Sequence, residues 1–137
     1  MAVLRLDRQW VGGMMSVAQM AGREIIQTTN ESDFEPFDQY GHVLAGLSWL
    51  KLNYDSEAVR GTYLLRFSPG AASLPHIHSA IEEFIVLEGE LLDSDGAIFR
   101  KGDFIRFSPG TKHHSISPQG CLILVFLHGR NELVQDK

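Results

Sequence analysis

His76-Ile77-His78 is followed, after three intervening residues, by the acidic pair Glu82-Glu83, and further along by His113-His114. Imidazole and carboxylate at this density could hold a metal ion, so their spacing matters. In a β-strand, residues i and i+2 face the same side, which sets the rings of His76 and His78 side by side, about 6.5 Å apart along the strand. Both could reach one ion at bonds of about 2.1 Å. H-x-H alone does not decide the matter, because solvated strand faces carry the same pattern. A carboxylate four residues along a straight strand would sit about 13 Å away, out of reach. Glu82 or Glu83 joins the histidines only if Ser79-Ala80-Ile81 turns the chain back onto a neighbouring strand. His113 and His114 face opposite sides of a strand, so at most one of them joins. Three imidazoles and one carboxylate form a nitrogen/oxygen donor set, suited to iron(II), manganese, zinc or nickel rather than to a thiolate-selected metal.

These residues need strands to hold them, and the chain supplies strand signals from residue 42 onward. "VRGTYLLRF", "EFIVLEGELL", "DFIRF" and "CLILVFL" are short segments rich in β-branched, aromatic and aliphatic side chains. "NYDSE", "SDG", "KGD" and two copies of "SPG" separate them. Many short strands with frequent turns predict an all-β sandwich or barrel. "HVLAGLSWLKLN" reads as a strand from residue 42, and "LLDSDGAIF" as a hairpin turning at Asp95-Gly96. "FIVL" and "CLILVFL" are continuous apolar runs, the mark of strands covered on both faces. "VAQMAGREIIQTT" predicts a short helix and "NESDFEPFDQYG" a connecting loop.

The pentapeptide "RFSPG" occurs at 66–70 and again at 106–110, and each copy runs into histidines within a few residues. Two copies are too few for a solenoid or propeller. They fit a β-fold with two similar halves, each delivering part of one site.

With 137 residues, 44% apolar and 21% charged, the chain has the size and composition of one folded domain. A net charge of −5 and the lack of a basic stripe argue against a nucleic-acid partner. Cys121 is the only cysteine, so an internal disulfide and a CxxC site are excluded. This fits a reducing cytoplasm, and Cys121 reads as a small buried hydrophobe. No apolar run approaches the roughly 18–20 residues of a membrane helix. "WVGGMMSVAQMAG" makes a poor signal region, and a true start near Met14 or Met15 explains it equally well.

The motifs resemble those of the cupin superfamily, small double-stranded β-helix (jelly-roll) barrels with two metal-binding motifs. The first, G-x5-H-x-H-x(3 or 4)-E-x6-G, is matched by Gly70, His76, His78, Glu82 and Gly89. Its spacing selects Glu82 over Glu83. The second, G-x5-P-x-G-x2-H-x3-N, is matched by Gly102, Gly110 and His113, with Pro109 shifted by one place and Ser117 in place of the asparagine. The resemblance covers residues 42–130. It implies residues 1–41 as an irregular N-terminal extension (a short helix or swapped strand) and 131–137 as a tail.

The details are most similar to the ChrR-like cupin branch. That branch includes the ChrR anti-sigma cupin domain, acetylacetone-cleaving dioxygenase and dihydroxyacetophenone dioxygenase. The resemblance implies one divalent ion, iron(II) in first place, held by His76, His78, Glu82 and His113. Four protein donors on a six-coordinate ion would leave two positions for substrate or O2. The implied activity is oxygenative cleavage of a small diketone or hydroxyketone. The alternatives are a non-catalytic metal-binding or metabolite-sensing domain, and a cupin isomerase or decarboxylase. Residues 1–41 hold no His or Cys, so ChrR's zinc-dependent grip on a sigma factor does not carry over. Tyr63, Phe84, Phe104 and Phe107, on strands beside the donors, are candidates for the pocket wall. His42, His114 and His128 read as surface or strand-end residues. Cupin analogy further implies a homodimer, with Trp10, Met14, Met15 and Met20 suited to the contact.

Overall fold

The computed structural model describes residues 20–135. The chain divides into two compact units, one ending at Asp33 and one starting at Phe34. In the first unit, residues 20–30 contain no helix, and a single 3-10 turn spans Glu31–Asp33. The expected short helix is therefore absent over 20–29, and its start at 17–19 lies outside the described residues. Asn30 Oδ1 accepts hydrogen bonds from the amide and hydroxyl of Ser32, a local pairing that competes with helix. Trp10, Met14 and Met15 also lie outside the described residues, and Met20 is exposed.

The described residues of the second unit form twelve strands. They are β1 (Glu35–Pro36), β2 (Leu47–Asp55), β3 (Arg60–Phe67), β4 (Ala71–Ala72), β5 (His76–His78) and β6 (Glu82–Asp93), followed by β7 (Ile98–Arg100), β8 (Phe104–Phe107), β9 (Lys112–His113), β10 (Ser115–Ser117), β11 (Cys121–Leu127) and β12 (Asn131–Leu133). Nine of them form one sheet in the order β1-β2-β3-β11-β6-β10-β4, with β7 and β8 also paired to β6. The other three form the sheet β12-β5-β9. Every pairing is antiparallel. The described residues contain no α-helix, and the fold is the all-β barrel that the motifs imply. No helix is long and apolar enough to cross a membrane among the described residues.

β6 connects the parts of the barrel. Its first half pairs with β8 and β11, and its last residues pair with β7 and β10. A bulge at Leu87, opposite Leu122/Ile123, interrupts the β6–β11 ladder, and such a bulge bends the strand and increases its twist. β11 lies between β3 and β6 and is buried almost throughout, as its continuous apolar run predicts. "FIVL" in β6 differs from expectation. Phe84 and Val86 are buried while Ile85 and Leu87 are half-buried, so this strand alternates and one face is only partly covered.

The strand expected from residue 42 begins only at Leu47. The preceding segment folds back instead: Phe37 N donates to Leu47 O at 3.0 Å and Leu44 N to Phe37 O at 3.1 Å. This seats Phe37 against Trp49 in an edge-to-face contact, with Tyr63 packed edge-on to Trp49. Each buried aromatic ring of this kind contributes roughly 1.5–3 kcal/mol through burial.

Both RFSPG copies make the same turn. Ala71 N donates to Ser68 O at 2.9 Å, and Thr111 N donates to Ser108 O at 3.2 Å. Proline at the second position and a positive-φ glycine at the third (Gly70 at +85°, Gly110 at +91°) are the type II pattern. The first turn leads through β4 to the strand bearing His76 and His78, and the second leads directly to His113.

The two glycines of the first motif make different demands. A Cβ on Gly70 would meet nothing, whereas one on Gly89 (φ +75°) would run into Gly120 O and Cys121 Cα across the bulged ladder. Gly70→Ala is expected to cost about 1–2 kcal/mol, the conformational penalty alone. Gly89→Ala should cost clearly more, because β11 must shift as well. Urea denaturation of both variants, with unchanged m-values, checks the order.

Candidate metal centre

The short strand β5 holds His76 and His78 on its buried face and turns Ile77 outward. β9 pairs with β5 so that His113 lies directly opposite His76, which puts both side chains on the same face. His114, one residue on, is exposed. Residues 79–81 lie between β5 and β6, and Glu82 enters as the first residue of β6, in the other sheet. This is the return that the carboxylate required. Glu83 points outward and pairs with His128 at 2.9 Å on the surface.

The three rings form a near-equilateral triangle, with centroids 5.0 Å (His76–His78), 4.6 Å (His76–His113) and 4.9 Å (His78–His113) apart. One potential donor atom from each of His76, His78, Glu82 and His113 lies within 4.8 Å of all the others, and all four residues are buried. His78 is fully inaccessible.

The hydrogen bonds around the rings decide which nitrogen faces inward. His76 Nδ1 is 2.7 Å from Leu74 O, which can only accept. His113 Nδ1 is 2.7 Å from Asp93 Oδ1. His78 Nδ1 is 2.8 Å from Thr111 Oγ1. That hydroxyl spends its own proton on Ser108 O at 2.8 Å, so it accepts from the ring. All three Nδ1 atoms therefore carry hydrogen, which leaves Nε2 as the atom whose lone pair each neutral ring would offer. Nε2 of His78 and of His113 are buried with no hydrogen-bond partner among the described residues. His78 Nε2 lies 3.3 Å from Glu82 Oε2, close but not aligned as a hydrogen bond. Buried lone pairs facing one another are costly unless a cation takes them, so the residues fit a divalent ion.

The electrostatics agree. Burial pushes His76 below the usual imidazole range, only partly offset by its Leu74 bond and the Glu82 charge, and this favours the neutral, ligating form. Burial pushes the Glu82 carboxyl up, and the charge that His78 and His76 carry when protonated, together with the Asn131 amide, brings it below the usual carboxylate range. Burial likewise raises Asp93, and its bonds to His113 and Ser115 bring it below the ordinary value.

A small cavity opens beside the donors, with about 50 Å³ open to the centre of a water molecule. Tyr63 and Phe84 line it. Phe107 stands at the wall of the donor set, its ring 4.8 Å from His78 and 4.1 Å from His113. Phe104 is not brought there. It is 58% exposed, because along β8 it falls on the outer face at the position of Ile85. Several residues around the site escaped sequence reasoning. Gln39 and Tyr40 line the cavity from the stretch read as a loop. Thr111 and Asp93 orient the rings, and Asn131 Nδ2 donates to Glu82 Oε1 at 2.9 Å. Asp93 carried one usable signal: an acidic residue ending a strand just before a Gly turn, but it reads equally well as turn chemistry.

Residues 22–130 match the model of the ChrR cupin-like domain. No curated protein matches the sequence. Among solved structures, the chain is similar to an acetylacetone dioxygenase from Acinetobacter johnsonii (TM-score 0.68, 18% identity, 90% of this chain and 86% of that one). It is also similar to the polyketide cyclase RemF from Streptomyces resistomycificus (TM-score 0.60, 20% identity, 82% of this chain and 88% of that one). A third similarity is to the Rhodobacter sphaeroides complex of SigE with the anti-sigma ChrR (TM-score 0.50, 26% identity, 58% of this chain and 43% of that one). At such identities the first two likenesses carry the fold alone.

Asp93 is the one ionic partner among those that tie down the rings, and it also accepts from Ser115 Oγ at 2.9 Å. Asp93→Asn keeps an acceptor for both groups but removes the charge. Metal affinity is expected to fall about 10–100-fold, as for other outer partners of ligating histidines. Competition with a chromophoric chelator measures this.

Proposed function

The chain belongs to the ChrR cupin-like domain family, and from that premise we propose that it is a metal-dependent oxygenase cleaving a small diketone or hydroxyketone. The observation that carries this reading is the convergence of three Nε2 lone pairs and Glu82 on one point beside a small cavity. A bound divalent ion would supply Lewis acidity toward an enolate oxygen, and iron(II) would add electron transfer to O2.

The protein's own part is placement and exclusion of water. Phe37, Leu44, Leu65, Phe84 and Val125 give the cavity an apolar wall, which strengthens every charge interaction inside it. Asn131 holds Glu82 by Oε1 and leaves Oε2 toward the histidines. Phe107 lies nearly flat against His78, which limits the tilt of that ring. The Tyr63 phenol is raised by burial and then by the Glu82 charge, so it remains a neutral hydroxyl.

One observation favours a second reading, a non-catalytic metal-binding or metabolite-sensing domain. All four donor residues are buried, and so deep a site suits an ion that is held rather than exchanged.

Metal analysis with oxygen-electrode measurements separates the two. The first reading expects about one iron per chain and O2 uptake with acetylacetone or a short hydroxyketone. In His76→Ala both metal and uptake should be lost. Tightly bound zinc with no uptake on either substrate class supports the second reading and contradicts the first.

A further inference from the structure

Two hollows lie on either side of one wall. The inner one is the cavity beside His76, Glu82 and His113. The outer one is a surface depression of about 180 Å³ whose lining includes Gln39, Trp49 and Tyr54. Gln39 is the residue common to both linings. The rest of the wall between them is aromatic. Trp49 and Tyr54 line the depression, and Phe37 and Tyr63 line the cavity. Their ring centroids are 4.8 Å (Trp49–Phe37), 5.2 Å (Trp49–Tyr63) and 5.5 Å (Tyr54–Tyr63) apart, so one ring-to-ring contact separates the two spaces. These rings wedge one another edge to face, and Phe37, Trp49 and Tyr63 are buried. Gln39 is only half-buried. Its side chain is unbranched and rich in rotamers, which makes it the part of the wall that can move most readily. Nε2 donates to Tyr54 Oη at 3.2 Å, the long end of the usual range. The backbone beside it is anchored separately, by Phe37 N to Leu47 O and Leu44 N to Phe37 O. The side chain can therefore turn while the loop stays in place.

We infer that Gln39 is the gate through which small molecules reach the metal centre. With its amide latched to Tyr54 the wall is closed, and with the latch broken the depression and the cavity join. This inference rests on the reading above in one respect, that an outside molecule must reach the ion. A gate changes how fast a ligand enters and how fast it leaves by the same factor. It leaves affinity alone, because the ligand does not distinguish the latched state from the unlatched one. A side chain that touched the ligand would change affinity instead.

The test uses the protein loaded with cobalt(II), whose visible absorption reports its coordination shell, and azide as the entering ligand. Stopped-flow absorbance gives the association and dissociation rates, and titration gives Kd. Gln39→Ala and Tyr54→Phe are each expected to raise both rates about 3–10-fold, as for loss of a neutral hydrogen bond, with Kd within about 2-fold of the natural protein. Tyr54→Phe keeps the ring packing and removes only the latch, so it carries the test if Gln39→Ala disturbs the fold. Unchanged rates in Tyr54→Phe, or in a folded Gln39→Ala, overturn this inference alone. So does a Kd that shifts because only one of the two rates has changed. Azide that binds neither the natural protein nor the variants overturns it together with the oxygenase reading.

Discussion

Three imidazole nitrogens with free lone pairs and one carboxylate oxygen are packed within 4.8 Å of one another inside an apolar shell. Bare, that arrangement is electrostatically poor: electron-rich atoms face each other where water cannot solvate them. It becomes favourable when a divalent ion occupies the centre. Glu82 and Asp93 together carry two negative charges at or next to the donors, which balances such an ion without further groups. Most of what is distinctive around the site serves to hold these four atoms in place.

Each donor is restrained twice, once by the strand that carries it and once by a partner on its far side. β5 and β9 bring the three rings to one face, and the start of β6 brings Glu82 in from the other sheet. The far-side partners come from four different places: Leu74 before β5, Asp93 at the end of β6, Thr111 after the second Ser-Pro-Gly turn, and Asn131 in β12. Because these partners are scattered along the chain, the geometry of the centre depends on the whole barrel closing. The repeated turn has a clear purpose in that light, since each copy feeds the chain into a strand that faces its counterpart across the β5–β9 ladder.

Local patterns in the chain showed the parts that follow a local rule. H-x-H on a strand gave a common face for His76 and His78, and strand alternation allowed only one of His113 and His114. The carboxylate was legible only as a condition, that 79–81 reverse the chain, and the motif spacing then chose Glu82. The outer partners were not legible, because an asparagine, a threonine or a loop tyrosine acquires its role from long-range pairing. Asn131 even lies beyond the stretch that the motifs cover. Phe104 shows the converse limit: being beside a donor strand in sequence does not say which face a side chain takes. "FIVL" shows that a continuous apolar run can still alternate in burial when one face is only half covered.

X-ray absorption spectroscopy of the metal-loaded protein tests the convergence most directly, since it counts the donor atoms around the ion. The account predicts one ion per chain in a shell of three imidazole nitrogens at about 2.0–2.2 Å, with at least one oxygen at a similar distance and no sulfur. A shell with fewer than three imidazoles, or one that contains the Cys121 thiolate, would contradict it.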